Sequence, residues 1–70
     1  MNPQPTITVN GTPRPFECPL TLEQLLQSLG LAGQPVVAEL NEHPVFPRDY
    51  ASTMVEPGAK IEIVTLAAGG

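Results

Sequence analysis

The sequence predicts an α+β domain: a mixed sheet of four to five strands with one main helix packed on one face. Two patterns carry this expectation. Thr6-Ile7-Thr8-Val9 and Lys60-Ile61-Glu62-Ile63 alternate polar and apolar residues, the period of a half-buried strand. Leu22, Leu25, Leu26 and Leu29 recur at i, i+3, i+4 and i+7, the stripe of an amphipathic helix. Size sets the limit, because 70 residues hold one small domain and no more. A hydrophobic content of 41% with a net charge of −4 is too apolar for a disordered chain.

Met1 to Pro5 is a polar, proline-rich lead-in. Asn10-Gly11 follows the first strand and signals a hairpin, since both central residues of a type I′ turn need positive φ. The second strand is expected over Thr12 to Cys18. A two-residue turn sets Val9 opposite Thr12 and Ile7 opposite Arg14, so Pro13 and Pro15 point outward. Proline has no N–H, and the pair therefore suits an edge strand. That register puts Phe16 and Arg14 on the face of Ile7 and Val9, with Arg14 reaching past the sheet edge.

Thr21 is the expected N-cap of the helix, with Gln24 completing a capping box. Gly30 is placed to end it in the left-handed conformation. A helix this short does not persist alone in water and must lie against a sheet. Val36 to Asn41 reads as a strand with Val36, Ala38 and Leu40 inward. Glu42 to Pro47 reads as a turn with a short ladder segment. Arg48 to Thr53 is expected to form one helical turn, with Tyr50 and Met54 returning apolar surface to the core. Glu56-Pro57-Gly58-Ala59 has the signature of a type II turn. The last strand, Lys60 to Leu66, turns Ile61 and Ile63 to the core. With one helix available, the sheet's second face stays open. Val64 and Leu66 then form an apolar cluster beside the tail, a candidate docking patch. This order of hairpin, helix, strand, irregular segment and strand is the β-grasp arrangement, with a right-handed crossover bringing two strands parallel.

Seven acidic residues against three basic ones disfavour nucleic acid and acidic membranes, and suit a partner with a basic surface. No stretch approaches the ~20 apolar residues of a membrane span, and no signal peptide opens the chain, so a cytoplasmic protein is expected. A single cysteine, Cys18, forms no intrachain disulfide, lacks basic neighbours in sequence and reads as a buried or partly buried inert thiol. His43 is alone and makes no metal site. Glu39 and Glu42 are not spaced for paired acid–base work. Arg48 could brace its loop or contact a partner.

The remaining feature is the end of the chain, Ala67-Ala68-Gly69-Gly70. A diglycine end alone is often a frayed terminus. It also leaves the last carboxylate unshielded by any Cβ, and two glycines can approach another backbone closely. From Leu66 to Gly70 is four residue steps, roughly 13–14 Å if extended, enough to enter a narrow cleft. The chain is thus read as one β-grasp domain over residues 1–70, with 67–70 as a flexible tail.

These features together resemble the sulfur carrier family of thiamine biosynthesis, ThiS, a group of ubiquitin-like β-grasp proteins. The resemblance rests on Ile7-Thr8-Val9-Asn10-Gly11, Thr21-Leu22-Glu23-Gln24-Leu25-Leu26, and Val37-Ala38-Glu39-Leu40-Asn41 followed by Val45, Pro47-Arg48 and Tyr50. Glu56-Pro57-Gly58, Ile61-Glu62-Ile63-Val64 and Gly69-Gly70 complete it. Two positions depart from the pattern: Tyr50 stands where Trp is common, and Phe46 interrupts an aliphatic pair.

The resemblance implies a carrier rather than an enzyme, with no cofactor of its own. An E1-like adenylyltransferase would use ATP and Mg²⁺ to adenylate the Gly70 carboxylate. A sulfur donor system would then replace AMP, and thiazole synthase would accept the sulfur. Ala67, Ala68, Gly69 and Gly70 would enter the partner's active site while Val64 and Leu66 dock. The alternatives are a carrier of the molybdopterin synthase small-subunit type, a carrier feeding amino-acid biosynthesis, and a ubiquitin-like modifier or interaction module.

Overall fold

The structure, a computed structural model, describes residues 4–66. Its elements in chain order are β1 (Thr6–Val9), β2 (Thr12–Pro15), β3 (Leu20–Thr21), α1 (Leu22–Ser28), β4 (Val36–Leu40) and β5 (His43–Val45). A 3₁₀ helix (Pro47–Ser52), β6 (Met54–Val55) and β7 (Lys60–Thr65) follow. Five strands form one mixed sheet in the order β2-β1-β7-β4-β5, and β3 pairs with β6 in a separate two-stranded ribbon. β7 lies at the centre, parallel to β1 and antiparallel to β4. This is the expected β-grasp sheet with one helix on one face.

The first hairpin has the register its turn predicts, Val9 with Thr12 and Ile7 with Arg14. Asn10 and Gly11 both take positive φ, at 49° and 80°. β2 ends at Pro15 rather than running to Cys18. A last backbone bond, from Phe16 N–H to the Pro5 carbonyl at 2.9 Å, closes that ladder. Beyond it the chain bends, and this leaves Cys18 exposed, not buried as its sequence context suggested.

α1 is set at both ends by hydrogen bonds. Gln24 N–H donates to Thr21 Oγ1 at 3.1 Å and Thr21 N–H donates to Gln24 Oε1 at 2.8 Å, a reciprocal capping box. At the other end Leu31 N–H reaches the Leu26 carbonyl at 2.8 Å and Gly30 N–H reaches the Gln27 carbonyl at 3.1 Å. That double bond pattern, with Gly30 at φ 75°, is a Schellman motif. Leu22, Leu25 and Leu26 are buried, and Leu29 packs at the margin.

They meet Ile7, Val9, Val36, Ala38, Ile61 and Ile63 from the sheet. Tyr50, carried in by the 3₁₀ helix, is also buried, and its hydroxyl donates to the Val36 carbonyl at 3.5 Å. Met54 does not return to the core as expected. It is 46% exposed, and Val55 is buried in its place. The cause is the β3–β6 ribbon: pairing Leu20 with Val55 and Thr21 with Met54 turns alternate side chains to opposite sides.

β4 and β5 form a second tight hairpin, the turn and short ladder segment expected over Glu42 to Pro47, with the turn starting one residue earlier, at Asn41. Leu40 pairs with His43, so the turn is Asn41-Glu42, and both residues take positive φ, at 51° and 69°. The type II turn before β7 is as expected. Gly58 takes φ 83°, and Ala59 N–H donates to the Glu56 carbonyl at 3.1 Å.

Candidate functional site

β7 carries the chain to the end of the described residues. Within it Ile61 and Ile63 point into the core, and Ile61 is fully buried. Its even-numbered residues point to the face that α1 does not cover. Two asparagines hold its flanks. Asn10 Oδ1 accepts from Ile63 N–H at 2.7 Å and Asn10 Nδ2 donates to the Ile63 carbonyl at 3.0 Å. The Asn10 side chain thus continues the β1 ladder where the main chain turns away. Asn41 Oδ1 accepts from Lys60 N–H at 2.9 Å. Leu66 N–H donates to the Pro35 carbonyl at 2.8 Å, so pairing extends one residue past the strand.

Val64 and Leu66 stand on the open face, 61% and 50% exposed. They are not alone there. Val37 lies directly across from Val64. Phe46, one step past the Ala38–Val45 pair, comes alongside Val37 and is 57% exposed. The guanidinium of Arg48 sits over the Phe46 ring, 5.3 Å from its centroid. Arg48 therefore braces Phe46, a role its sequence context left open. An apolar row of Phe46, Val37 and Val64 thus crosses three strands, with Leu66 beside it. Next to that row Glu39 and Glu62 face each other across β4 and β7. The sequence separation of 23 positions hid this pair. The alternation of Val36, Val37 and Ala38 was a usable signal for Val37.

The remaining candidates stay apart. Cys18 lies at a shallow groove of about 250 Å³ between the first hairpin and α1, lined with Arg14, Phe16 and Leu29. His43 is exposed on β5. Among the described residues no three His, Cys, Asp or Glu side chains are grouped to hold a metal ion. No helix among them is long and apolar enough to cross a membrane. Ala67, Ala68, Gly69 and Gly70 lie outside the described residues.

Comparison with known proteins agrees with this geometry. The chain is similar to the thiazole synthase of Paramagnetospirillum magneticum, 38% identical over 64 residues. Those residues are 91% of this chain but 20% of that protein, so the chain spans about a fifth of its length. It is 33% identical over its whole length to the uncharacterized protein ycf40 of Porphyra purpurea, covering 99% of it. The crystal structure of the thiamine biosynthesis protein ThiS from Geobacter metallireducens superposes with a TM-score of 0.79 at 29% identity. It covers 93% of this chain and 99% of that one. The ThiS family model matches residues 7–70, from the first buried residue of β1 to the final glycine, and the chain belongs to the ThiS family.

Proposed function

We infer that this chain is a sulfur carrier for thiazole formation in thiamine biosynthesis. The observation that carries the reading is the family match, which runs through Gly70 itself. Likeness to a thiamine biosynthesis protein and to a segment of thiazole synthase supports the same pathway.

A carboxylate is a poor acyl donor because its leaving group would be oxide. In the proposed cycle the Gly70 carboxylate attacks the α-phosphorus of ATP in an E1-like enzyme, releasing pyrophosphate and leaving an acyl-adenylate. The terminal sulfur of a donor persulfide then attacks the acyl carbon and displaces AMP. A thiol cleaves the resulting acyl disulfide, leaving the thiocarboxylate and a disulfide of the donor and that thiol. Thiazole synthase takes that sulfur. ATP, Mg²⁺ and the stabilising charges belong to the activating enzyme. The carrier supplies a reachable carboxyl and a surface to grip. The four residues after Leu66 span at most roughly 13–14 Å, which suits a globular body that docks outside the cleft.

The test is incubation with an E1-like activating enzyme, ATP, Mg²⁺ and a sulfur donor, followed by intact-mass measurement. An oxygen-to-sulfur shift at the last residue is the expected result. Attachment to lysines of other proteins would instead identify a modifier. Transfer of the sulfur in a reaction with purified thiazole synthase separates this carrier from those serving other syntheses.

A further inference from the structure

We propose that the Glu39 and Glu62 pair receives a basic side chain from the protein that docks on the open sheet face, steering a partner whose contact surface combines apolar and positive groups. This rests on the carrier reading above. The pair is placed by register, with Glu39 and Glu62 directly opposite on β4 and β7. Directly opposed side chains stand roughly 4.5–5.5 Å apart at Cβ, and like charges there oppose pairing. Among the described residues, neither carboxylate takes part in an ion pair. Arg48 bonds Asp49 at 3.9 Å, and Lys60, two positions from Glu62 on the same face, makes no salt bridge among the described residues. Both glutamates are only partly exposed, so water shields them less than it would at a loop tip.

The surroundings narrow the occupant. The Phe46, Val37 and Val64 row borders the pair, and Leu66, the last described residue, lies beyond Val64 on the same face. A body gripping that face would therefore lie next to Leu66, four residues before Gly70. A second copy of this chain fits poorly. It would bring four carboxylates together on molecules of net charge −4. Strand addition at the sheet edges is also closed. Pro13 and Pro15 on β2 and Pro44 on β5 occupy positions whose nitrogens face outward, so both edges lack donors there. What remains is face-on docking by a protein of opposite charge.

The experiment uses the full chain with the E1-like activating enzyme, first confirming thiocarboxylate formation on the unaltered chain by mass. Association and dissociation rates are then measured across a salt series for the chain, for a double Glu39→Gln, Glu62→Gln variant, and for Val64→Ser. The double variant is expected to associate about threefold to tenfold more slowly at low salt, with its dissociation rate little changed. The difference should vanish near 0.5 M salt, where screening acts within about 4–5 Å. Val64→Ser should mainly speed dissociation. The Gln variant should unfold at the same temperature as the parent or a higher one. Equal association rates at low salt, or a lower unfolding temperature for the Gln variant, would overturn the inference while leaving the carrier reading intact. Absence of a thiocarboxylate on the unaltered chain would overturn both.

Discussion

Removing the Asn10 side chain should loosen the central strand, although Asn10 is itself exposed. Its two hydrogen bonds to Ile63, at 2.7 and 3.0 Å, tie the first turn to β7 across 53 positions of sequence. Each is worth about 1 kcal/mol net. Alanine would also have to adopt φ near 49°, at a further cost of about 1 kcal/mol. Asn10→Ala should therefore lose about 3 kcal/mol, a large part of the few kcal/mol expected of so small a domain. For a domain of this size that corresponds to roughly 12–24 °C in unfolding temperature. Asn10→Gly separates the contributions, since it accepts positive φ without strain and should lose about 2 kcal/mol. Thermal unfolding followed by circular dichroism gives the stabilities, and hydrogen exchange reads the Ile63 amide directly. If Asn10→Gly matched the parent within about 0.5 kcal/mol and the Ile63 amide stayed protected, the side-chain ladder would have no energetic role.

Other consequences follow from the same structure. Glu42→Gly should raise stability by about 0.5–1 kcal/mol, read as a higher urea midpoint, because a left-handed residue costs about 1–2 kcal/mol and the added chain entropy offsets part of that. An unchanged or lower midpoint would show that Glu42 is not strained. Thr21→Ala should lower stability by about 1 kcal/mol through loss of the helix cap, again from urea unfolding. On the proposed chemistry, Gly70→Ala should keep the unfolding midpoint and lose adenylation by more than about tenfold, a barrier of about 1.4 kcal/mol, measured as pyrophosphate release. Activation at the parent's rate would remove Gly70 from that role.

Much of the fold was legible because its signals are local. The capping box at Thr21 and Gln24, the Asn10-Gly11 turn and the Pro57-Gly58 turn each depend on a few adjacent residues, and each forms as written. The second hairpin was legible as a turn and short ladder, but its exact turn at Asn41-Glu42 was not, because Glu42 does not advertise positive φ. Met54 and Val55 were exchanged for a different reason. Their orientation depends on pairing with Leu20 and Thr21, more than thirty positions earlier, and no local pattern encodes that partner.

The candidate site divides along the same line. Val64 and Leu66 could be placed on an open face from alternation along β7 and from the shortage of helices to cover it. The diglycine end is likewise plain in the chain. Phe46, Val37 and the opposed Glu39 and Glu62 become neighbours only when β5, β4 and β7 align. Periodicity along one strand tells which way a side chain points. Which side chains stand beside it depends on cross-strand register, and register is settled by turns, asparagine ladders and core packing acting together over the whole molecule.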